Sequence, residues 1–258
     1  MRTSKLSLHG VRKAYRVDGH IVHALDGVSL HAAPGEFVTI IGPSGCGKST
    51  LFNLICGLEE PDEGEIRFDG RVVSRRIGQV GYMPQRDLLL PWRSVLDNVI
   101  LGPELARVPR EHARQRARAL LPLFGLEGFA DAYPTTLSGG MRQRAALLRT
   151  FLCERDILLL DEPFGALDAL TRAEMQAWLL RVWQAQAGRQ TILFVTHDVE
   201  EAVFLSDRVY VLTPRPARVR TVLTIDLPRP RDRHMVTSLE FTRLKERLLS
   251  ALEVKSNE

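Results

Sequence analysis

The 258-residue sequence predicts an α/β protein whose central β-sheet is parallel. In the second half of the chain, predicted strands alternate with helices, an order typical of parallel sheets. In the first half, an apolar strand, a glycine-rich loop and an amphipathic helix follow one another without interruption. Short strands separated by turns near the N-terminus predict a further β layer that flanks the glycine-rich loop.

The first third of the chain is predicted to be rich in strands. Four short strands are expected, at 5–10, 24–31, 37–41 and 65–73. The last of them folds back at Asp69-Gly70, because this dipeptide strongly favours a hairpin turn. The helix after the glycine-rich loop has an apolar stripe formed by Leu51, Leu54, Ile55 and Leu58.

From about residue 94 to residue 152 the apolar pattern becomes helical, which predicts a small inserted helical subdomain. Within it, residues 110–124 place alanines, leucines and a phenylalanine on one side and arginines on the other. Gly125 and Gly128 then end this helix.

The remaining chain is predicted to complete the parallel sheet. Strands are expected at 157–160, 191–195 and 208–212, with a helix over 169–187 between the first two. The tail after Pro214 contains a predicted strand, 218–225, and a predicted helix, 237–252. Its arginines outnumber its acids, so we interpret it either as a solvated surface segment or as a patch that faces a membrane or a partner.

Composition limits the classes of protein to which the chain can belong. The net charge of +4 would suit nucleic acid or anionic lipid, but the basic residues are scattered among acids. Cys46, Cys56 and Cys153 form no C-x-x-C pair, so neither a zinc site nor a disulfide framework is expected. No stretch approaches the roughly 18 apolar residues of a membrane span, and no signal-peptide core is present. We therefore expect a protein of the reducing cytoplasm.

The glycine-rich loop has the full pattern of a phosphate-binding loop, because residues 42–50 read Gly-Pro-Ser-Gly-Cys-Gly-Lys-Ser-Thr. Its glycines let backbone N–H groups turn inward around a triphosphate, Lys48 reaches the β- and γ-phosphates, and the Ser49 hydroxyl binds Mg²⁺. The helix that follows points its N-terminus at the anion. The nucleotide-binding residues predicted here are Gly42, Pro43, Ser44, Gly45, Cys46, Gly47, Lys48, Ser49 and Thr50.

A pair of adjacent carboxylates ends the apolar strand that begins at Ile157. Neighbouring residues at a strand end can point in different directions. Asp161 can therefore join the Mg²⁺ shell while Glu162 acts as the general base on the attacking water. Without the phosphate-binding loop upstream, the pair would be interpreted as a solvated acidic turn.

Three further features are weaker when each is taken alone. Ser138 is a plausible helix N-cap, and the backbone N–H groups of Gly139 and Gly140 beside it can face an anion. The same residues can equally be an ordinary glycine pair that starts a helix. Gln85 and His197 each follow a predicted strand, where a single polar residue is usually just solvated.

In order and spacing, these motifs resemble the ATP-binding cassette (ABC) family over about residues 4–225, which leaves a short C-terminal extension at 226–258. The resemblance rests on the phosphate loop, Gln85, the Leu137–Met141 segment, the carboxylate strand, Ala166-Leu167-Asp168 and His197. It implies a P-loop NTPase with a RecA-like core, a flanking antiparallel β layer and an inserted helical subdomain. It also implies hydrolysis of ATP with Mg²⁺.

The resemblance implies a role for each matching residue. Tyr15 stacks on the adenine, Gln85 senses Mg²⁺ and the attacking water, and His197 contacts the γ-phosphate. Asp168 lies in a loop that crosses between two subunits, and Ser138 and Gly140 act on the ATP that a second copy holds. Catalytic roles therefore fall on Glu162, His197 and Lys48, and metal binding falls on Ser49, Gln85 and Asp161. Met141 departs from the family, which most often has Gln there.

Residues 88–99 and 141–144 look like those of bacterial importers of nitrate, sulfonates, taurine and similar small anions. This resemblance implies a peripheral ATPase at the cytoplasmic face of the inner membrane. Its expected partners are a second ATPase subunit, transmembrane permease subunits and, indirectly, a solute-binding protein, with no nucleic acid. Leu88, Leu89, Leu90 and Trp92 are either a docking surface for the permease or core and hinge residues.

Two rival functions are weighed against the importer. Soluble cassette ATPases that act on nucleic acid or the ribosome carry a long coiled-coil insert or two fused cassettes, whereas only 90 positions separate Lys48 from Ser138. A nucleotide-binding regulator without turnover would lack the general base, but Glu162 is present. The transported solute is not specified by these motifs.

Overall fold

A computed structural model describes residues 4–165, 167–185 and 190–253 of the chain. Its strands are β1 (Leu6–Val17), β2 (His20–Ala32), β3 (Phe37–Ile41), β4 (Glu63–Phe68), β5 (Arg71–Val72), β6 (Gly81–Met83), β7 (Ile157–Asp161), β8 (Thr191–Thr196), β9 (Arg208–Leu212) and β10 (Val219–Thr224). Its α-helices are α1 (Lys48–Cys56), α2 (Val95–Val99), α3 (Leu101–Leu105), α4 (Arg110–Leu120), α5 (Gly139–Phe151), α6 (Ala169–Ala185), α7 (Val199–Leu205) and α8 (Leu239–Leu252). Short 3₁₀ helices cover Pro134–Thr136 and Arg233–Thr237.

The strands form two sheets. The first has the order β2-β1-β4-β5 and is antiparallel, and the second has the order β10-β9-β3-β8-β7-β6. In the second sheet every neighbouring pair is parallel except β9 and β10, which are antiparallel. The predicted parallel sheet and the predicted antiparallel layer are therefore both confirmed.

The central sheet is covered on both faces, as is usual for parallel sheets. All five residues of β3 are buried. Val38 and Ile40 join an apolar cluster with the antiparallel layer and α1, whereas Phe37 and Ile41 join a second cluster with the helices. The carboxyl end of β3 thus carries the glycine-rich loop from a firmly packed position.

Local predictions were mostly correct, with differences at helix ends and in the first two strands. The strands predicted over 5–10 and 24–31 are longer, because β1 continues to Val17 and β2 begins at His20 as they pair with each other. The hairpin forms at Asp69 and Gly70, which both have positive φ. Helix α1 ends at Cys56 because Gly57 takes a left-handed conformation, so Leu58 lies beyond the helix and is 62% exposed. Including Leu58 in the apolar stripe was therefore wrong. The helix predicted over 110–124 ends at Leu120 and continues as turns.

Helices α2 to α5 fall within the range predicted for the helical insert. Its status as a separate subdomain, like the boundaries 4–225 and 226–258, remains a prediction. The helix predicted over 169–187 is described as far as Ala185, and Ala166 of the expected Ala166-Leu167-Asp168 segment lies outside the described residues. In the part of the chain that the structure covers, no helix combines the length and apolar character needed to cross a membrane.

Neither interpretation of the basic tail holds for two of its arginines, because Arg229 and Arg231 turn inward. The Arg231 guanidinium is buried and donates to the carbonyl oxygens of Val203, Phe204 and Ser206, at the carboxyl end of α7. Carbonyl groups at a helix end need such donors. Burial lowers the pKa of Arg231 to about 10. Helix α8 also packs into the core, with Phe241, Leu244 and Leu248 buried.

Candidate nucleotide site

The glycine-rich loop joins the end of β3 to the start of α1. Gly45 and Gly47 have φ of +70° and +122°, a region that favours glycine. A Cβ at Gly47 would also lie 2.9 Å from Leu25 Cδ2 and 3.1 Å from the Ala24 carbonyl oxygen. The loop can therefore close over β2 only with glycine at this position.

Lys48 is the first residue of α1, and its side chain is buried within the loop. Its Nζ donates to the carbonyl oxygens of Gly42 at 2.8 Å and Pro43 at 3.0 Å. A buried ammonium group at a helix N-terminus is suited to bind an anion, because both the charge and the free helical N–H groups favour it.

Asp161 ends β7 next to the loop and is only 2% exposed. Burial raises the pKa of its carboxyl group, and a hydrogen bond with the Ser49 side chain acts in the opposite direction. A buried carboxylate beside a hydroxyl is the type of oxygen pair that Mg²⁺ accepts from proteins when phosphate and water supply its other ligands. Among the described residues no group of three or more His, Cys, Asp or Glu gathers around a metal-sized position.

Glu162 follows Asp161 with a φ of +47°. This left-handed conformation is unfavourable for a residue with a side chain. It is stabilised here because the Glu162 N–H donates to the Val195 carbonyl oxygen at 2.9 Å. The backbone leaves the strand direction at this point, so Asp161 lies beside Ser49 whereas Glu162 contacts Gln85 and His197. Their separate catalytic roles stay a prediction.

Two polar side chains, from the ends of the strands on either side of β7, contact the Glu162 carboxylate. Its Oε2 accepts a hydrogen bond from Gln85 Nε2 at 3.0 Å, and His197 Nδ1 lies 3.4 Å from the same oxygen. Gln85 follows β6, Glu162 follows β7 and His197 follows β8. Adjacent parallel strands bring their carboxyl ends to one edge of the sheet, which is why residues distant in sequence become neighbours.

These side chains and the loop enclose one cleft of about 470 Å³. Its lining residues are Ser44, Gly45, Gly47, Lys48, Ser49, Thr50, Gln85, Glu162, His197 and Arg215. Gly42, Pro43 and Cys46 belong to the loop without lining the cleft, and the Cys46 side chain is buried. A cleft with phosphate-binding N–H groups, a cation and a carboxylate can bind a polyphosphate and activate water against it.

The remaining predicted site residues lie elsewhere in the chain. Ser138 is exposed at the start of α5, where its Oγ accepts from the Met141 N–H at 3.2 Å, as expected of an N-cap. Gly139 and Gly140 form the first turn of that helix and do not line the cleft. Asp168 Oδ1 accepts from the backbone N–H groups of Leu170 and Thr171 at the start of α6.

Tyr15 lies on β1, beside the cleft rather than in its lining. Its hydroxyl donates to Glu59 Oε2 at 2.5 Å and lies 3.5 Å from Thr50 Oγ1. The predicted stacking of its ring on an adenine is therefore placed at the edge of the cleft and stays a prediction.

Arg215 is a cleft residue that the sequence analysis missed. It appeared there only as one of several arginines in the tail. The order of the sheet explains its position, because β9 is the parallel neighbour of β3 and the turn after β9 therefore lies beside the phosphate loop. Only knowledge of this strand order could have selected Arg215 from the other arginines.

Fold and cleft together define an ATP-hydrolysing cassette, and comparisons with known proteins agree. The family model described as "ABC transporter" matches residues 25–165. The chain is 46% identical over 249 residues to an uncharacterized ABC transporter ATP-binding protein of Methanocaldococcus jannaschii, covering 96% of this chain and 91% of the relative. The chain therefore belongs to the ABC transporter family, and it carries that family's ATPase domain.

Two relatives have names that include a transported solute. The chain is 45% identical over 239 residues to a taurine import ATP-binding protein of Rhizobium johnstonii, covering 91% of this chain and 90% of the relative. It is 37% identical over 248 residues to an aliphatic sulfonates import ATP-binding protein of Bacillus cereus, covering 96% of each.

Among solved structures, a dimeric ATP-binding cassette in a post-hydrolysis state with ADP and Pi matches with a TM-score of 0.76 and 32% identity. The match covers 86% of this chain and all of the solved cassette. The fold predicted from the sequence is thus confirmed by solved cassettes.

Proposed function

We propose that this chain is the ATP-hydrolysing subunit of an importer for one small anionic solute of the nitrate, sulfonate or taurine type, with the sulfonate or taurine type favoured. The observation that carries the ATPase part is the meeting of Gln85, Glu162 and His197 at the edge of the phosphate-loop cleft. The solute is inferred from relatives named for import of taurine and aliphatic sulfonates. These names also favour transport over the alternative of a soluble ATPase on nucleic acid or the ribosome.

The residues of the cleft divide the chemistry among them. Lys48 and the loop N–H groups bind the polyphosphate, and Ser49, Asp161 and Gln85 would hold Mg²⁺, which supplies charge neutralisation to the phosphates when bound. Glu162 accepts a proton from the attacking water as general base. Gln85 and His197 orient the Glu162 carboxylate through the contacts given above, which fixes the direction of that proton transfer.

A second copy of the chain is the proposed partner at the exposed start of α5. Ser138 and Gly140 lie at the N-terminus of a 13-residue helix and outside the cleft of their own chain. Free N–H groups at that position favour an anion. Solved cassettes of the same fold are dimeric, which supports an assembly in which each copy presents this helix end to the nucleotide of the other.

The permease is proposed to dock on the loop between Gln85 and α2, at a pair of exposed apolar side chains. Trp92 is 72% exposed and Leu88 is 59% exposed. Leu88 also has a φ of +46°, an unfavourable conformation for leucine. Leu89 is 8% exposed and belongs to the core. The docking hypothesis is therefore wrong for Leu89 and is retained for Leu88 and Trp92, whereas Leu90 is half-buried and is left out of the proposed surface.

This docking loop is held by buried polar groups. Asn98 is fully buried, and its Nδ2 donates to the carbonyl oxygens of Leu90, Arg93 and Ser94. On the other side, Arg149 of α5 donates to the carbonyl oxygen of Leu88 at 2.8 Å. An exposed apolar pair on a firmly held loop is suited to a protein interface, because binding then orders little additional chain.

The experiment compares Leu88→Ser combined with Trp92→Ser against Leu89→Ala as a matched core variant. The double variant should fold, keep the ATPase rate of the isolated subunit within a few-fold of wild type and lose permease in a pull-down and taurine or alkanesulfonate uptake in cells. Buried aromatic and apolar anchors often contribute about 2 kcal/mol or more each to an interface. Leu89→Ala should instead destabilise the isolated subunit by about 2–5 kcal/mol.

Retained uptake by the folded double variant would place docking elsewhere on the surface. Wild-type cells that take up neither solute, with an active ATPase, would contradict the proposed solute class without contradicting the ATPase.

A further inference from the structure

Arg215 is a cation of the nucleotide cleft to which neither the motifs nor the matched family region assigns a role. It lies in the turn between β9 and β10, beyond the matched residues 25–165, and it lines the cleft with the phosphate loop. Its guanidinium Nη2 and Nε both donate to the carbonyl oxygen of Gly45, at 2.7 Å and 3.1 Å.

The contact acts on one peptide of the phosphate loop. In a planar trans peptide the C=O and the N–H point in opposite directions. Holding the Gly45 carbonyl at Arg215 therefore holds the Cys46 N–H on the opposite side, where it donates to the Pro43 carbonyl oxygen at 3.3 Å. Lys48 binds the carbonyl oxygens of Gly42 and Pro43, so two cations together orient the first half of the loop.

The turn that carries Arg215 is itself fixed. Ala217 is fully buried, donates its N–H to the Ala24 carbonyl oxygen and accepts from the Asp26 N–H, both at 2.9 Å. Ala24 and Leu25 are also the residues against which Gly47 packs. The Arg215 turn and the phosphate loop therefore rest on the same short segment of β2.

We propose that Arg215 is a positioning residue for nucleotide binding, which fixes the Gly45–Cys46 peptide of the phosphate loop through the Gly45 carbonyl. A planar guanidinium can place two N–H groups on one oxygen, whereas an ammonium group cannot do so with the same geometry. Because the loop is common to the binding of ATP and ADP, the role applies to both. The inference rests on the proposed function only in that the loop binds a nucleotide.

The test compares Arg215→Gln and Arg215→Lys with the matched control Arg218→Gln. Arg218 lies on the same turn, but its guanidinium pairs with Asp26 and not with the loop. Affinities of the purified full chain for MgADP and for a non-hydrolysable MgATP analogue are measured by calorimetry, and folding is checked by thermal melting. Arg215→Gln should weaken both nucleotides by a similar factor of about ten, the range of one hydrogen bond to a charged group. Arg218→Gln should stay within twofold of wild type.

A second readout needs no nucleotide. Deuterium uptake by the peptide that contains residues 42–47 should be faster in Arg215→Gln than in wild type and unchanged in Arg218→Gln. Arg215→Lys should fail to restore either the affinities or the slow exchange. Full rescue by lysine, unchanged exchange in Arg215→Gln, or a loss confined to the ATP analogue would each overturn the positioning role. If the wild-type chain binds neither nucleotide, the proposed function fails, and the exchange rates alone then decide on Arg215.

Discussion

Two regions of the molecule are proposed to carry the phosphate chemistry, and they are built differently. The phosphate-loop cleft collects its side chains inside one chain, where Gln85 and His197 each contact Glu162. The start of α5 presents Ser138 at the surface, where its hydroxyl accepts a hydrogen bond from the Met141 N–H of its own helix turn. The cleft is thus organised within a single chain, whereas the helix end is organised as a surface that can contribute to a site on another molecule.

The difference follows from where each region lies in the fold. The carboxyl ends of parallel strands lie at one edge of the sheet. The strand order alone therefore brings together the loop residues that follow β3, β6, β7, β8 and β9. Helix α5 is the last helix within the range predicted for the insert, and it packs its buried face into the core. A Cβ at Gly140 would lie 3.0 Å from Leu167 Cδ2, so this glycine allows the helix start to lie close against the segment before α6.

The largest effect is expected for the cleft, from Glu162→Gln. The amide keeps the shape of the side chain and can still contact Gln85, but it cannot accept the proton of the attacking water. General-base assistance is worth about 10² to 10⁴ in rate. Steady-state phosphate release should fall by that factor, while the affinity for MgATP measured by calorimetry should stay within a few-fold of wild type.

Glu154→Gln is the matched control for this prediction. Glu154 is an exposed carboxylate that pairs with Arg116 and lies outside the cleft. Its substitution should leave turnover unchanged. Turnover of Glu162→Gln within threefold of wild type would remove Glu162 from the role of general base.

The next effect concerns the helix end. In the Glu162→Gln background, MgATP should convert monomer to dimer in light scattering, and adding Ser138→Arg should prevent this. The arginine side chain would occupy the surface at which the partner's nucleotide binds. Because the interface is two-fold, the substitution affects both nucleotide sites of the dimer.

Ser138→Ala separates steric block from loss of the helix cap. It removes the hydrogen bond to the Met141 N–H, which costs about 1 kcal/mol of stability, but adds no bulk. Dimers should still form with Ser138→Ala. If Ser138→Arg forms dimers to the same extent as Glu162→Gln alone, the start of α5 does not lie at the interface between copies.

The same contrast shows what the sequence could predict. Residues 42–50 and the carboxylate pair were predictable because each motif consists of consecutive residues that follow a strand. Arg215 was not, because its place beside Gly45 depends on β9 being the neighbour of β3. Such a pairing between distant segments leaves no local pattern in the chain.

Neighbouring residues of similar character were the second source of error. Leu88 and Leu89 are identical in type, yet one is exposed and the other belongs to the core. The positive φ of Leu88 separates them, and nothing in a run of three leucines marks which one takes it. Arg231 was interpreted wrongly for a different reason. A charged residue is rarely buried, so the sequence predicted a surface position. Its burial depends on the carbonyl groups at the end of α7, which accept its hydrogen bonds.

The smallest expected effect lies at the edge of the cleft and tests how far the nucleotide site extends onto the antiparallel layer. Tyr15→Ala should weaken ATP binding about tenfold, since stacking of a base on an aromatic ring is worth about 1–3 kcal/mol. Tyr15→Phe keeps the ring and removes only the hydroxyl, with its hydrogen bond to Glu59 and its 3.5 Å contact with Thr50 Oγ1, so its ATP affinity should stay within twofold of wild type. Inorganic tripolyphosphate has no base, and calorimetry should show equal affinity for it in all three proteins.

If Tyr15→Phe loses as much ATP affinity as Tyr15→Ala, the contact with Glu59 and not the ring supports the site. An equal loss for tripolyphosphate would mean that Tyr15 acts on the loop near Thr50, and the adenine would then be bound elsewhere.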